Sequence, residues 1–400
     1  MLPTPEIKEV TVSRGPKIAV IGGGAAGLSA AMQIAELGST DVTVFEAFHP
    51  AEGSSGLSAG IFNRQTNKPD ELEMRAYSVR ALQRYVAENG FHLERVGYVR
   101  IAKTEEQLAD YAQAQQLQHD LGVASTLLDR AQLGELVPGM FVDDLVGGLY
   151  GPDDGHLDGH LLCGVLRDRA VALGAVVRNR TAVVAAEEVG SQITLVGADG
   201  HLGTFDVVVN AAGPNGSAVA EMLGVTQHIV NERHQICLLE SRTERKIPAV
   251  QTYVPGSGQE AIWVRPEGPG RFLTGLHTQE IRSGSGGEHP FDFRRSVDDT
   301  YIEAVAEAFD FRMPGWDDVG INGGWSGLYP VSPDGRFQVG PYRNRPNIVA
   351  VGALGGVGLT NAVAVGRIAA EWVVHGEPTV FSFAADLVPD RASLLPAATT

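Results

Sequence analysis

The stretch Ala19–Gly27, AVIGGGAAG, decides the fold: an apolar run stops abruptly in three consecutive glycines. A chain does this where a buried strand turns tightly onto a helix and leaves its backbone bare. Upstream, Lys17–Ile21 (KIAVI) is almost continuously apolar, as a parallel strand buried on both faces requires. Gly22, Gly24 and Gly27 follow in the spacing G-x-G-x-x-G, and LSAAMQIAELG then repeats apolar residues at helical spacing until Gly38. A second apolar strand, Asp41–Phe45, ends on Glu46, nineteen residues past Gly27. Together these make the dinucleotide fingerprint; a merely structural tight turn leaves Glu46 at that spacing unexplained. Gly22 permits the turn, Gly24 lets a pyrophosphate approach backbone N–H groups, and Gly27 lets helix and strand pack closely. The helix N-terminus at Ala25 and Ala26 offers its partial positive charge to the phosphates. Glu46 suits the adenosine ribose hydroxyls and repels a 2′-phosphate, which argues against NADP.

Four hundred residues exceed one comfortable core, so two domains are expected. The hydrophobic content of 44% and charged content of 20% are those of a soluble globular enzyme, with the cytoplasm as default. A net charge of −17 argues against nucleic acid or an anionic membrane surface as partner. Two cysteines, Cys163 and Cys237, provide neither a disulfide framework nor a CxxC metal pair, and both are expected as buried thiols. The first seventeen residues lack an apolar signal core and read as a leader to the first strand. The charge-free stretch 347–366 approaches membrane-span length, but its glycines make it read as strand, turn and helix.

Strand-to-glycine signatures recur at TFDVVVNAAGPN (204–215) and at NIVAVGALGGVG (347–358). Between them lie a long amphipathic helix from Pro69 to Gly90, a second helix after Thr104, and a helix capped by Asp158 and closed by Gly174. Residues 226–320 mix strands with an acidic helix near 297–310 and the loop SGSGG (283–287), a surface loop or an entrance lid. The fold class expected is α/β. A Rossmann-like nucleotide domain is assembled from 15–80, 150–225 and 325–385. A mixed-sheet α+β substrate domain is inserted as 81–149 and 226–324.

An NAD enzyme needs only the first fingerprint. An extended FAD also needs a second bare backbone and helix start, and the turn at 354–360 supplies them: N–H groups there suit the negative charge on a reduced flavin. With no second nucleotide fingerprint, electrons are expected to come from a small organic substrate.

Several motifs, in order along nearly the whole chain, resemble the D-amino-acid oxidase-like FAD-dependent oxidoreductase family, the group of glycine oxidase and sarcosine oxidase. They are GGGAAG with Glu46, GSSGLSAGI, DDGHLD, VVNAAGP, VRPEGPGRFLTGLHT, WSGLYPVSPDGRFQVGP and GALGGVGLTNAVAVGRIAAE. The resemblance implies that Ser54, Ser55, Gly56 and Leu57 run along the flavin and that Val183 meets the adenine through its backbone. Ala211, Ala212 and Gly213 close over the pyrophosphate. Gly327, Leu328 and the turn Gly355, Gly356, Val357, Gly358, Leu359 and Thr360 surround the ring system. Where some members bond the flavin covalently, this chain has Leu57 and Gly327, so a non-covalent FAD is expected.

On the substrate side the resemblance implies His277 as the active-site histidine, Trp263 as a pocket aromatic and Arg64 as a cation for a substrate carboxylate. Tyr329 stands where glycine oxidase-like members carry an arginine, and Thr360 where sarcosine oxidase-like members carry a lysine. Leu273 replaces a lysine that aids oxygen use in some members, which favours another electron acceptor over oxygen. His156, His160, Asp153, Asp154 and Asp158 are read as a turn and helix cap, and no metal is expected. The activity implied is oxidation of a C–N bond in a small amine, foremost an amino acid or N-alkyl amino acid. Oxidation of a 2-hydroxy acid or other alcohol, or service as the flavin subunit of a larger dehydrogenase, stand as alternatives.

Overall fold

The computed structural model describes residues 15–253, 261–277 and 289–395; residues 1–14 of the N-terminal leader and the SGSGG loop lie outside the described residues. Strand Ile18–Ile21 is buried along its whole length, between the parallel strands Val42–Phe45 and Val207–Asn210. Alternation divides its side chains. Ile18 and Val20 join a core formed with the helices Ala25–Glu36, Pro69–Asn89, Gly159–Ala172 and Gly358–His375. Ala19 and Ile21 face the other way, onto a core with Ile193, Leu195 and Phe205 of a three-stranded antiparallel meander, Val183–Phe205. This two-sided burial is why the strand contains no polar residue. The sheet is completed by Val176–Arg178 on one edge and, on the other, by Arg345–Gly352 and the antiparallel Gln338–Tyr342.

The local punctuation falls where the residues require it. Pro69 opens its helix and Gly90, at φ 65°, closes it. Thr104 and Gln107 form a capping box, and the Asp158 carboxylate accepts the His160 and Leu161 N–H groups. One segment departs from the expectation. TFDVVVN is not a single strand: Gly200–Phe205 belongs to the meander and Val207–Asn210 to the parallel sheet. Asp206 makes the break, its carboxylate accepting the Lys17 N–H and the Gln192 side-chain amide.

A second sheet of eight strands runs Val319–Val331, Val230–Ser241, Arg271–His277, Ala261–Gly268, Ala249–Gln251, Tyr98–Ala102, Gly147–Gly151 and Thr126–Asp129. One face is covered by the helix Asp299–Arg312 through Val305, Phe309 and Tyr301. The opposite face carries Ile236, Trp263 and Leu273 onto Ala59 and Ile61, which follow the second parallel strand in the chain. The thirteen-residue strand Val319–Val331 delivers Trp325, Gly327 and Tyr329 to that boundary.

Gly355–His375 is long and apolar enough to cross a membrane, yet 67% of its apolar window is buried inside the protein. It lies along Ala25–Glu36, with Gly366 against Ser29: a Cβ at Gly366 would come within 2.3 Å of Ser29 Oγ and 2.8 Å of its carbonyl carbon. Gly366→Leu is therefore expected to cost about 1–3 kcal/mol by overpacking. Gly164→Ala, in a helix with nothing within 4 Å of the new methyl, is expected to be neutral or to stabilise by up to about 1 kcal/mol. Urea denaturation of both variants checks the contrast.

Candidate active site

Both bare turns open on one cleft of about 750 Å³. Val183, Gly22, Gly24, Ala25, Ala26 and Glu46 line it together with Ala211, Ala212 and Gly213. Ser54, Ser55, Gly56 and Leu57 continue the wall to Gly355, Gly356, Gly358, Leu359 and Tyr329. Two helices of 12 and 18 residues thus start on the same cleft, their first-turn N–H groups lacking intrahelical acceptors; the Ala25 N–H donates to Ser55 Oγ at 3.1 Å. Gly27 lies beneath, where a Cβ would sit 2.1 Å from the Gly22 carbonyl oxygen. Glu46 is fixed by the Gly23 N–H at 2.6 Å and the Phe48 N–H at 2.9 Å. A carboxylate has about four acceptor sites, so two remain for ligand hydroxyls.

Four of the expected residues stand behind this wall. The Leu328 carbonyl accepts the Ser54 hydroxyl at 2.7 Å, and Gly327 leaves room for Leu57. Val357 is the N-cap residue of the last helix, and Thr360 is buried with its hydroxyl on the Ile61 carbonyl at 3.2 Å. Gly356 has a steric reason to be glycine: a Cβ there would lie 2.6 Å from the Tyr329 ring.

The sheet face beside the cleft carries the polar groups. Tyr329 stacks on His234, ring centroids 3.9 Å apart at 21°, and His234 Nε2 lies 3.1 Å from Glu232 Oε2. Burial and the neighbouring Glu232 raise the Tyr329 pKa, so its hydroxyl stays protonated. His277 closes the strand Arg271–His277 and packs edge-on against Tyr253 at 4.6 Å. Burial lowers its pKa to about 4, helped by positive charge from His234 and Arg100. The ring is neutral at pH 7. His234 and Glu232 were not singled out from the sequence; their i, i+2 spacing on a strand, which puts both on one face, was the available signal.

Two expected roles change in the structure. Trp263 is not on the cleft wall. It is 8% exposed and packs with Ile236, Leu273 and Trp325 between the two parts of the protein, because its strand neighbour Gly275 leaves space for the indole. The aromatic that reaches the cleft loop is Trp325, whose Nε1 donates to the Leu57 carbonyl at 2.8 Å. Arg64 is not an available cation. Its Nε donates to Asp154 Oδ1 at 2.8 Å and its backbone N–H to Oδ2 at 3.2 Å, with Asp154 fully buried. Gln65 adds a third donor at 2.9 Å.

The DDGHLD residues have separate partners. Asp153 pairs with Arg95, Asp158 caps its helix, His160 lines the cleft beside Gly56, and His156 packs against Arg265. A further cavity of about 810 Å³ lies on the other side of the Gly56–Ser58 segment. Charged side chains such as Glu94, Lys246, Arg265 and Glu267 line it. Both cysteines are buried free thiols with raised pKa values, about 12 for Cys163 and about 11 for Cys237, so neither is a poised thiolate.

Arg64→Ala would strand the buried Asp154 carboxylate, at an expected cost of about 3–5 kcal/mol. Adding Asp154→Asn should recover part of it, which a double-mutant cycle of denaturation midpoints measures. Burial also lowers His156, to about 3, so His156 and His277 both titrate well below the 6.5 of an unfolded histidine. The unfolded chain then binds more protons below pH 6.5, and stability should fall as pH drops from 6.5 toward 4. His156→Gln should flatten that slope in pH-dependent denaturation.

The sequence profile of the family described as FAD dependent oxidoreductase matches residues 17–372. The chain is 25% identical to the mitochondrial dimethylglycine dehydrogenase of Rattus norvegicus, over 90% of this chain and 43% of the relative. It is 27% identical to the mitochondrial sarcosine dehydrogenase of Homo sapiens, over 90% of this chain and 40% of the relative. It thus spans about four-tenths of the length of these two relatives. The crystal structure of L-proline dehydrogenase from P. horikoshii superposes with a TM-score of 0.81 at 22% identity, covering 92% of this chain and 95% of that one. The cleft with two helix starts, the fingerprint acid and the profile match agree: the chain belongs to the FAD-dependent oxidoreductase family.

Proposed function

We propose that this chain binds FAD non-covalently and oxidises a C–N bond of a small amine, foremost an amino acid or N-alkyl amino acid, whose imine product is then hydrolysed by water. The observation that carries the reading is the placement of the half-buried His277 and Tyr329 on one sheet, with Tyr329 lining a cleft at which two helix N-termini meet. The residues fit the cofactor: Glu46 would hold the adenosine ribose, Ala25 and Ala26 the pyrophosphate, and Gly355–Leu359 the edge of the ring system. FAD, when bound, supplies the redox chemistry by accepting a hydride at N5.

The chain's own residues prepare the amine. Only the deprotonated amine has a nitrogen lone pair to release electrons, and a neutral imidazole at His277 accepts a hydrogen bond from the amine N–H without placing a positive charge beside it. The Tyr329 hydroxyl, protonated and held by its stack on His234, supplies a second orienting group. Leu273, 1% exposed among Trp263 and Ile236, puts no lysine at this position, which supports an electron acceptor other than oxygen. The division into a three-piece FAD domain and a twice-inserted substrate domain belongs to the same proposal: the six-stranded sheet, whose strands all come from the three pieces, supports it, although Leu93–Glu94 pairs with Gly155–Leu157 and Val319–Val331 crosses the boundary at 325.

Acid precipitation should release all the flavin as FAD. Flavin left on the pellet would overturn the non-covalent reading and direct attention to His160, the one histidine on the described cleft wall. Mixed anaerobically with amino acids, N-methyl amino acids, simple amines and hydroxy acids, the yellow protein should be bleached by a member of the amine series. Bleaching by hydroxy acids alone would refute C–N oxidation.

A further inference from the structure

The segment 290–296 leads into the helix Asp299–Arg312, which covers the eight-stranded sheet, yet Pro290, Phe291 and Arg295 line the nucleotide-binding cleft. Both ends of the segment are tied down. The Phe291 ring packs edge-on against Phe48, centroids 5.8 Å apart, and the Phe48 N–H donates to Glu46, the acceptor expected for the ribose. Four residues on, the Arg295 carbonyl accepts the Ser326 N–H at 2.8 Å, and the Arg294 carbonyl accepts Arg233 Nε at 2.8 Å. Ser326 lies two residues before Leu328, whose carbonyl takes the Ser54 hydroxyl, and Ser55 accepts the Ala25 N–H. The segment therefore runs from a neighbour of Glu46 to the neighbours of the first helix start. The pyrophosphate of an FAD laid along the cleft has to pass between the same two points.

Charge singles out Arg295. Arg294 is paired with Asp298 at 2.8 Å, whereas Arg295 is exposed, has no carboxylate partner among the described residues and lies over the Phe293 ring. Among the described residues lining the cleft it is the only lysine or arginine, and Glu46 and Glu52 add negative charge there. A pyrophosphate brings two negative charges, and the helix start at Ala25 answers with roughly half a positive one. More than one negative charge is left for a side chain to meet.

We propose that Arg295 binds the FAD pyrophosphate, and that Phe291 is a positioning residue that docks the segment on Phe48. The proposal rests on the non-covalent FAD reading and adds to it a cation from outside the glycine fingerprint. A guanidinium offers paired N–H donors that match phosphate oxygens, a geometry that a lysine ammonium does not reproduce. Retention of the cofactor then depends on the part of the chain that packs on the eight-stranded sheet as well as on the strand-to-helix turns.

The test follows FAD release from the loaded protein as the rise in flavin fluorescence after dilution into buffers of increasing KCl. Arg295 and Phe291 are both exposed, so neither substitution opens the core. Arg295→Gln should release FAD roughly tenfold faster than wild type, as loss of a charge-assisted contact implies, and Arg295→Lys should fall between them. Wild-type release should quicken as KCl rises, because salt screens the charge pair, and Arg295→Gln should respond less. Phe291→Ser should also speed release but keep the wild-type response to salt, since the cation remains. Equal release from wild type and Arg295→Gln would overturn the proposal alone and leave non-covalent FAD binding standing. A wild-type rate unmoved by KCl would overturn it too, without requiring any variant to fold. Wild-type protein that gives up no FAD even on acid denaturation would remove the non-covalent reading and this proposal with it.

Discussion

The helix Ala25–Glu36 can rest on the strand before it only because no side chain stands at Gly27, where a Cβ would lie 2.1 Å from the Gly22 carbonyl oxygen. Gly22 itself sits at φ 112°, with a Cβ position 2.3 Å from the Ala211 carbonyl oxygen. These two close approaches bring strand, helix and the neighbouring Val207–Asn210 turn together at one point. The cleft, its bare N–H groups and the place of Glu46 all follow from that contact. The second helix start, at Gly358, is brought to the same cleft by the Arg345–Gly352 strand, parallel to Val207–Asn210.

Across the cleft, the eight-stranded sheet does a different job. Its apolar contacts, Trp263 and Leu273 on Ala59 and Ile61, fix its distance from the nucleotide-binding part. Its polar groups are then arranged by strand register alone: Glu232 opposite Tyr329 and His234 opposite Gly327. The gap at Gly327 leaves the His234 ring free to lie on Tyr329, two residues along. Charge in this region is sorted by burial. Asp154 pairs with Arg64 inside the protein, and burial, with the charge of Arg100 adding to it, holds His277 in its neutral form.

Features decided over short stretches of chain were legible in the sequence. The glycine turn, the burial of KIAVI, the Asp158 cap, the long helix between Pro69 and Gly90 and the acid at Glu46 each depend on residues close in the chain, where steric limits and hydrogen-bond geometry leave few choices. The break at Asp206 escaped because its cause is remote: the carboxylate bonds Lys17, 189 residues away.

The candidate site divides along the same line. The sequence by itself determined where the chain leaves bare backbone at strand-to-helix turns, since bare backbone is written as glycine and alanine. Only the tertiary structure decided which side chains are free to act. Arg64 meets Asp154 ninety residues on, Tyr329 meets His234 from a neighbouring strand, and Trp263 turns into packing against Ala59 and Ile61. A charged or aromatic side chain is available to a ligand only if nothing else in the fold satisfies it first, and pairing of that kind is settled by contacts between distant segments rather than by local spacing.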